Sequence, residues 1–177
     1  MKMKNKEKKN VRLLSHKSIE YQLQLKDRAL AATEQGITIS DNLQQDNPIV
    51  YANEGFEKLT GYSLEDVLGE NCRFLQGPDT DPKVIKEISK AIHTGEACSV
   101  EILNYRKDGT PFWNWLSITP VRNEAGVITN FLGIQSDITK RKNIENALSK
   151  LSNDLEQANK RMKKELEEAR QLQQTML

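Results

Sequence analysis

Cysteine, aromatic side chains and long apolar runs are all scarce in this chain. Its 177 residues include two cysteines, Cys72 and Cys98, too few for a disulfide framework. With no secretory signal, both are expected to be reduced thiols. No apolar run approaches the ~18 residues of a membrane span, and nothing resembles the apolar core of a signal peptide, so the chain reads as soluble and cytoplasmic. Charge of one sign is missing too: 26 Lys and Arg face 25 Asp and Glu, which gives no overall pull toward nucleic acid or membrane. The local exception is residues 1–12, with five Lys and one Arg against one Glu. This start reads as a solvated tail rather than a contact for nucleic acid or acidic lipid. His16 and His93 have no carboxylate or cysteine at ligand spacing, and no nucleophile–base set appears, which argues against a metal centre and an enzyme.

What is present is unevenly spread. Eight of the nine glycines, all five prolines, both tryptophans and all four phenylalanines fall in residues 37–138. That stretch is the expected globular domain, with bounds at 36–138. Residues 1–35 precede it as the basic tail and an N-terminal cap helix carrying Ile19, Leu23, Leu30 and Ala31-Ala32, with Gly36 as its stop. Residues 139–177 follow as a long helix without Gly or Pro. Inside the domain, "ITIS" and "IVYAN" read as strands, "EGFEKLTGYSLEDVLG" as short helical pieces, and "DPKVIKEISKAIHTG" as a helix. That helix starts at Asp81-Pro82, stops at Gly95, and has Val84, Ile85, Ile88 and Ile92 as its buried stripe. Three longer strands close the domain, the first two joined across Asp108-Gly109. The fold class is therefore α+β: a five-stranded antiparallel sheet with helices on one face.

Strand alternation sorts the side chains of that sheet. Val100, Ile102 and Asn104 share one face, as do Phe112, Asn114, Leu116 and Ile118, and as do Phe131, Gly133 and Gln135. Each set is apolar with a single carboxamide. A buried amide without partners costs roughly 1–3 kcal/mol. Either the amides satisfy one another and the backbone, or they meet a planar heterocycle with alternating donors and acceptors. Three amides on three strands favour the heterocycle. The opposite face carries Leu103, Tyr105, Trp113, Trp115, Leu132 and Ile134 and needs a cover, from the flanking helices or a second copy.

One stretch remains, "GENCRFLQG" (69–77), a lone cysteine among hydrogen-bonding residues. It resembles the flavin-binding signature of LOV domains, the blue-light-sensing branch of the PAS family found in phototropins and bacterial photoreceptors. "YANEGFEKLTGY", "EILNYRKDGTPFWN" and "FLGIQSDIT" resemble further LOV blocks in the same order, so the likeness covers about residues 36–139. It implies a PAS/LOV fold and an FMN chromophore. Cys72 would form a reversible thioether with flavin carbon 4a under blue light. Asn71 and Gln76 would contact the ribityl chain and Arg73 the phosphate. Asn104 and Asn114 would hold the pyrimidine edge, with Phe131 and Leu116 against the ring. Gln135 would sit beside nitrogen 5 and relay its protonation by turning its amide. One departure stands out: Ser89 occupies the place of a second phosphate arginine, leaving Lys86 or Lys90 as poorer substitutes, so riboflavin is a second candidate ligand. Cys98 reads as a small buried strand residue.

The last segment has apolar positions at Ile144, Leu148, Leu151, Leu155, Ala158, Met162, Leu166 and Ala169, a heptad seam with one stutter near Met162. It is expected to form a parallel homodimeric coiled coil, covering the outer sheet face together with the N-terminal helix. "EEARQLQQTML" resembles the linker before PP2C-like phosphatase domains, so the partners are a second copy and a C-terminal effector, with no nucleic acid and no membrane. The competing class is a PAS interaction or redox-sensing module in which the adduct chemistry is incidental.

Overall fold

Two glycine-closed turns set the sheet. In the computed structural model of the chain, which describes residues 21–175 apart from 23 and 27 and only the backbone at 169 and 172–175, the Arg106 N–H donates to Thr110 O at 2.9 Å and the Gly109 N–H to Arg106 O at 2.9 Å. Gly109 has a φ of +82°, the left-handed glycine that ends this kind of hairpin loop. Asn123-Glu124-Ala125-Gly126 repeats the pattern one hairpin later. These turns join β3 (Cys98–Tyr105), β4 (Pro111–Arg122) and β5 (Ile128–Asp137) into a meander, with Ile102 opposite Asn114 and Leu116 opposite Gln135. β1 (Gly36–Asp41) pairs along the free edge of β5, with Thr38 opposite Gly133, and β2 (Ile49–Ala52) pairs with β1. The sheet is antiparallel throughout, in the order β2-β1-β5-β4-β3.

Between β2 and β3 lie α2 (Glu54–Thr60), α3 (Leu64–Val67), a 3-10 turn (Cys72–Leu75) and α4 (Pro82–Thr94). Each has a local reason to start where it does. Asn53, Ser63, Asn71 and Asp81 each accept a backbone N–H of the first turn they precede. Pro82 opens α4 and Gly95, at a φ of +69°, closes it. Ile49, Ala52, Phe56, Val67 and Leu75 make the core that these pieces share with β2.

Two expectations need correction. The N-terminal helix, α1, described from residue 21, ends at residue 31 rather than at Gly36, which is instead the first residue of β1. The buried amide of Asn53 takes the carbonyls of Leu30 and Gln35 and the hydroxyl of Thr33, pulling residues 32–35 into a turn. Gly36 is small for packing reasons, since a Cβ there would stand 3.2 Å from the Phe56 Cα. On α4, Val84, Ile85, Ile88 and Ile92 are half-buried, and Ala91 is its buried residue. Ile88 and Ile92 line a cavity instead of filling a core.

The six apolar residues of the outer sheet face are all half-buried. The chain divides into two units between Asp137 and Ile138, and the second contains α5 (Thr139–Thr175). No helix among the described residues is long and apolar enough to cross a membrane. The basic tail, His16, Ile19 and Leu23 lie outside the described residues, as does the side chain of Ala169.

Candidate functional site

The cavity lies between the inner sheet face and the segment from the 3-10 turn through α4, and holds about 760 Å³ of empty space, part of it open to solvent. All nine residues singled out from the sequence line it: Asn71, Cys72, Arg73, Gln76, Asn104, Asn114, Leu116, Phe131 and Gln135. The sheet brings five of them together by simple alternation. The 3-10 turn brings Cys72 and Arg73, fixed at one end by Asn71 and at the other by the 76–80 loop. Thr80 ties that loop down, accepting from the Gly77 N–H and donating to Leu103 O at 2.7 Å.

The inner wall is apolar except for Thr38, Ser40 and amides that are only partly satisfied. Asn114 Nδ2 donates to Asn104 Oδ1 at 2.9 Å, and Gln135 Nε2 reaches the Thr38 hydroxyl at 3.5 Å. Asn114 and Gln135 are each 1% exposed, yet Asn114 Oδ1 and Gln135 Oε1 have no hydrogen-bond partner. Two buried orphan acceptors on one cavity wall are unusual, because nearly all such groups are paired. They fit a flat ligand that presents donors along one edge. Gly133 keeps the wall beside them low, since a Cβ there would meet Thr38 Oγ1 at 2.6 Å.

Cys72 is half-buried at the cavity. Burial pushes its thiol from an ordinary 9.0 up to about 11, partly offset by a hydrogen bond from Thr38. It is therefore a protonated thiol near neutrality, with both a sulfur and a proton to give. Thr38, which sequence reasoning did not single out, touches both Cys72 and Gln135. Its signal was the inward parity of "ITIS", readable only once β1 is known to lie beside β5. Cys98 is a free, half-buried thiol that does not line the cavity, and His93 is exposed.

At the mouth the arrangement departs from expectation. Arg73 directs both guanidinium arms at the Asp46 carboxylate, each at 2.6 Å. The Asn71 side chain donates to Asp46 O and accepts from the Arg73 N–H, so it is engaged locally while still lining the cavity. Ser89, Lys86 and Lys90 are all exposed, and none lines the cavity.

Comparison with known proteins fixes the family. A family model described as the PAS domain matches residues 34–140. The light-state structure of the Aureochrome1 LOV photoreceptor superimposes with a TM-score of 0.60 at 47% identity, over 69% of this chain and 97% of that one. The chain belongs to the LOV branch of the PAS family. A blue-light-activated histidine kinase of Brucella anthropi is 45% identical over 111 residues, 63% of this chain and 23% of that protein. An RNA-binding light-oxygen-voltage receptor gives a TM-score of 0.69 at 42% identity, over 73% of this chain and 37% of that one. This LOV chain spans only 12–23% of the length of the first curated relatives it matches.

Proposed function

We propose that this LOV chain is a blue-light sensor module whose cavity binds a flavin, FMN in the first place, with Cys72 as its reacting thiol. The observation that carries the reading is the pair of buried, unpartnered oxygens of Asn114 and Gln135 on the wall of the cavity that Cys72 lines. A bound flavin supplies the blue absorption and, once excited, a ring carbon–nitrogen double bond across which a thiol S–H adds, sulfur to carbon and proton to nitrogen.

The chain's own residues then divide the work. Asn104 and Asn114 hold the polar edge of the ring, while Phe131 and Leu116 pack against its apolar body. Cys72, kept protonated by burial, presents both halves of its S–H bond and stays unreactive in the dark. Gln135 faces the nitrogen that gains the proton. A neutral amide can answer by turning its oxygen where its NH₂ had been. Gln135 lies two residues before the end of β5, and α5 starts at Thr139, so a local change of hydrogen bonding sits close to the element that leaves the domain.

Residues 1–35 supply the basic tail and a cap helix, 36–138 the sensor, and 139–177 a coiled-coil output helix of a parallel homodimer, in which the N-terminal helix and the start of the coiled coil cover the outer sheet face. The near-balanced charge favours a protein effector over nucleic acid as the target of that output. The "EEARQLQQTML" stretch favours a PP2C-like phosphatase as the effector.

Illumination tests the reading. The purified protein is expected to be yellow, to lose its blue absorption band in blue light and to regain it in the dark, while Cys72→Ala stays yellow and does not bleach reversibly. A protein that is colourless, or yellow and unchanged by light, sinks it.

A further inference from the structure

We propose that the Thr38 hydroxyl, set between the Cys72 sulfur and the Gln135 amide, speeds the return of the module from light to dark. The inference rests on the flavin reading above and goes beyond it to a third working residue. Return is the reverse of the S–H addition. The carbon–sulfur bond breaks with its electron pair left on the Cys72 sulfur, the ring nitrogen's proton passes back to that sulfur, and the pair from the N–H bond re-forms the ring double bond. Negative charge builds on sulfur before the proton arrives. A hydrogen-bond donor aimed at that atom helps most at this moment, because bonds to a charged acceptor are roughly twice as strong as neutral ones.

Thr38 is 4% exposed and lines the cavity together with Cys72 and Gln135. It lies opposite Gly133 in the β1–β5 register, and a Cβ on Gly133 would stand 2.6 Å from Thr38 Oγ1 and 4.0 Å from Gln135 Nε2. The missing side chain of Gly133 therefore opens the space in which hydroxyl and amide meet, at 3.5 Å. The same hydroxyl bonds to the Cys72 thiol, and this contact favours the thiolate against the opposing pull of burial. One hydroxyl serves both neighbours because it has a proton to donate and two lone pairs to accept with. It takes the Gln135 NH₂ on its oxygen and, once the amide has turned, has a proton to offer the otherwise unpartnered Oε1. During return the charged sulfur is the stronger acceptor and draws that hydrogen bond to itself. A valine of the same shape would fill the place and do none of this.

The test compares wild type, Thr38→Val and Thr38→Ser in the full chain. With flavin bound, the blue absorption is followed in the dark after a light pulse. Thr38→Val is expected to recover about three- to tenfold more slowly, and Thr38→Ser, which keeps the hydroxyl, within about twofold of wild type. A second measurement uses the chain stripped of flavin and carrying Cys98→Ser, so that Cys72 is the one thiol. At pH 9 a small alkylating reagent should attack Cys72 about threefold or more slowly in Thr38→Val than in this parent, because less thiolate is present, and Thr38→Ser should match the parent. Unchanged thiol reactivity in Thr38→Val removes the bond to sulfur and overturns the proposal. Recovery of Thr38→Val at the wild-type rate overturns it too and leaves the flavin reading standing, as does equal slowing in Thr38→Ser, which makes shape rather than the hydroxyl the cause. A wild-type chain that does not bleach in light overturns the flavin reading and this role together.

Discussion

On the proposed reading Cys72 has to be close to a reactive partner and inert toward it in the dark, and burial would do this with a measurable signature. In the flavin-free chain its thiol titrates near 11 in the folded state, against an ordinary 9.0. As pH rises past 9 the unfolded chain loses this proton first, so the folded state binds more protons and stability falls with pH. The contribution is fully present below pH 9 and is lost between 9 and 11. Two pH steps correspond to roughly 3 kcal/mol at most. Urea unfolding of wild type and Cys72→Ala across pH 8–11 should show the wild type losing up to about that much more than the variant. Parallel curves would mean that the thiol titrates normally. Much of the site at this scale was legible in the sequence, because strand parity is exact and puts Asn104, Asn114 and Gln135 on one wall whatever else happens. Asp46 and Thr38 were not legible. Asp46 meets Arg73 across 27 residues of sequence, and Thr38 meets Gln135 across 97, so no local pattern announces either.

Elements were readable where their signals are local and less so where a distant side chain decides. Asp81-Pro82 and Gly95 mark the ends of α4 in the sequence, and the structure places them there. The end of α1 is decided instead by Asn53, some twenty residues further on, which no periodicity within residues 19–36 could reveal. Asn53 is 2% exposed and fully employed. Its oxygen accepts from Ile37 N at 2.7 Å and Phe56 N at 2.9 Å, so it caps α2 and anchors the start of β1. Its NH₂ holds the turn after α1 through three acceptors. Gly55 makes that approach possible, since a Cβ there would meet Gln35 O at 2.3 Å. Asn53→Ala removes the side-chain acceptor of the buried Ile37 N–H, leaves the Phe56 N–H with only the Asn53 carbonyl, and releases the turn, at a cost of roughly 2–4 kcal/mol. Denaturant unfolding measures the total. Hydrogen exchange should rise first in residues 28–37, and loss confined to α2 would show that Asn53 is only a helix cap.

For the molecule as a whole, α5 is the output element of the proposed reading. It runs from Thr139 to Thr175, about 55 Å of helix at 1.5 Å per residue. Ile144, Leu148, Leu151, Leu155, Met162 and Leu166 are all 52–61% exposed along it, a continuous apolar seam. Ion pairs such as Glu156–Lys160 and Lys164–Glu168 brace the helix itself, at i,i+4 spacing. A second copy would bury the seam, each half-exposed leucine contributing roughly 1 kcal/mol. Leu151→Glu with Leu155→Glu removes four such side chains from a dimer and sets carboxylates against one another. The combined loss is on the order of 4–6 kcal/mol, about a thousandfold or more in dissociation constant. Light scattering at micromolar concentration should therefore give a dimer mass for the wild type and a monomer mass for the double variant. Asn153→Glu, on the far side of the helix, should leave the dimer intact. Because the seam is remote from the cavity residues in sequence, the double variant should still bleach and recover in light. A dimer that survives both seam substitutions would place the interface elsewhere, with the outer sheet face around Trp113 and Trp115 as the surface to examine next.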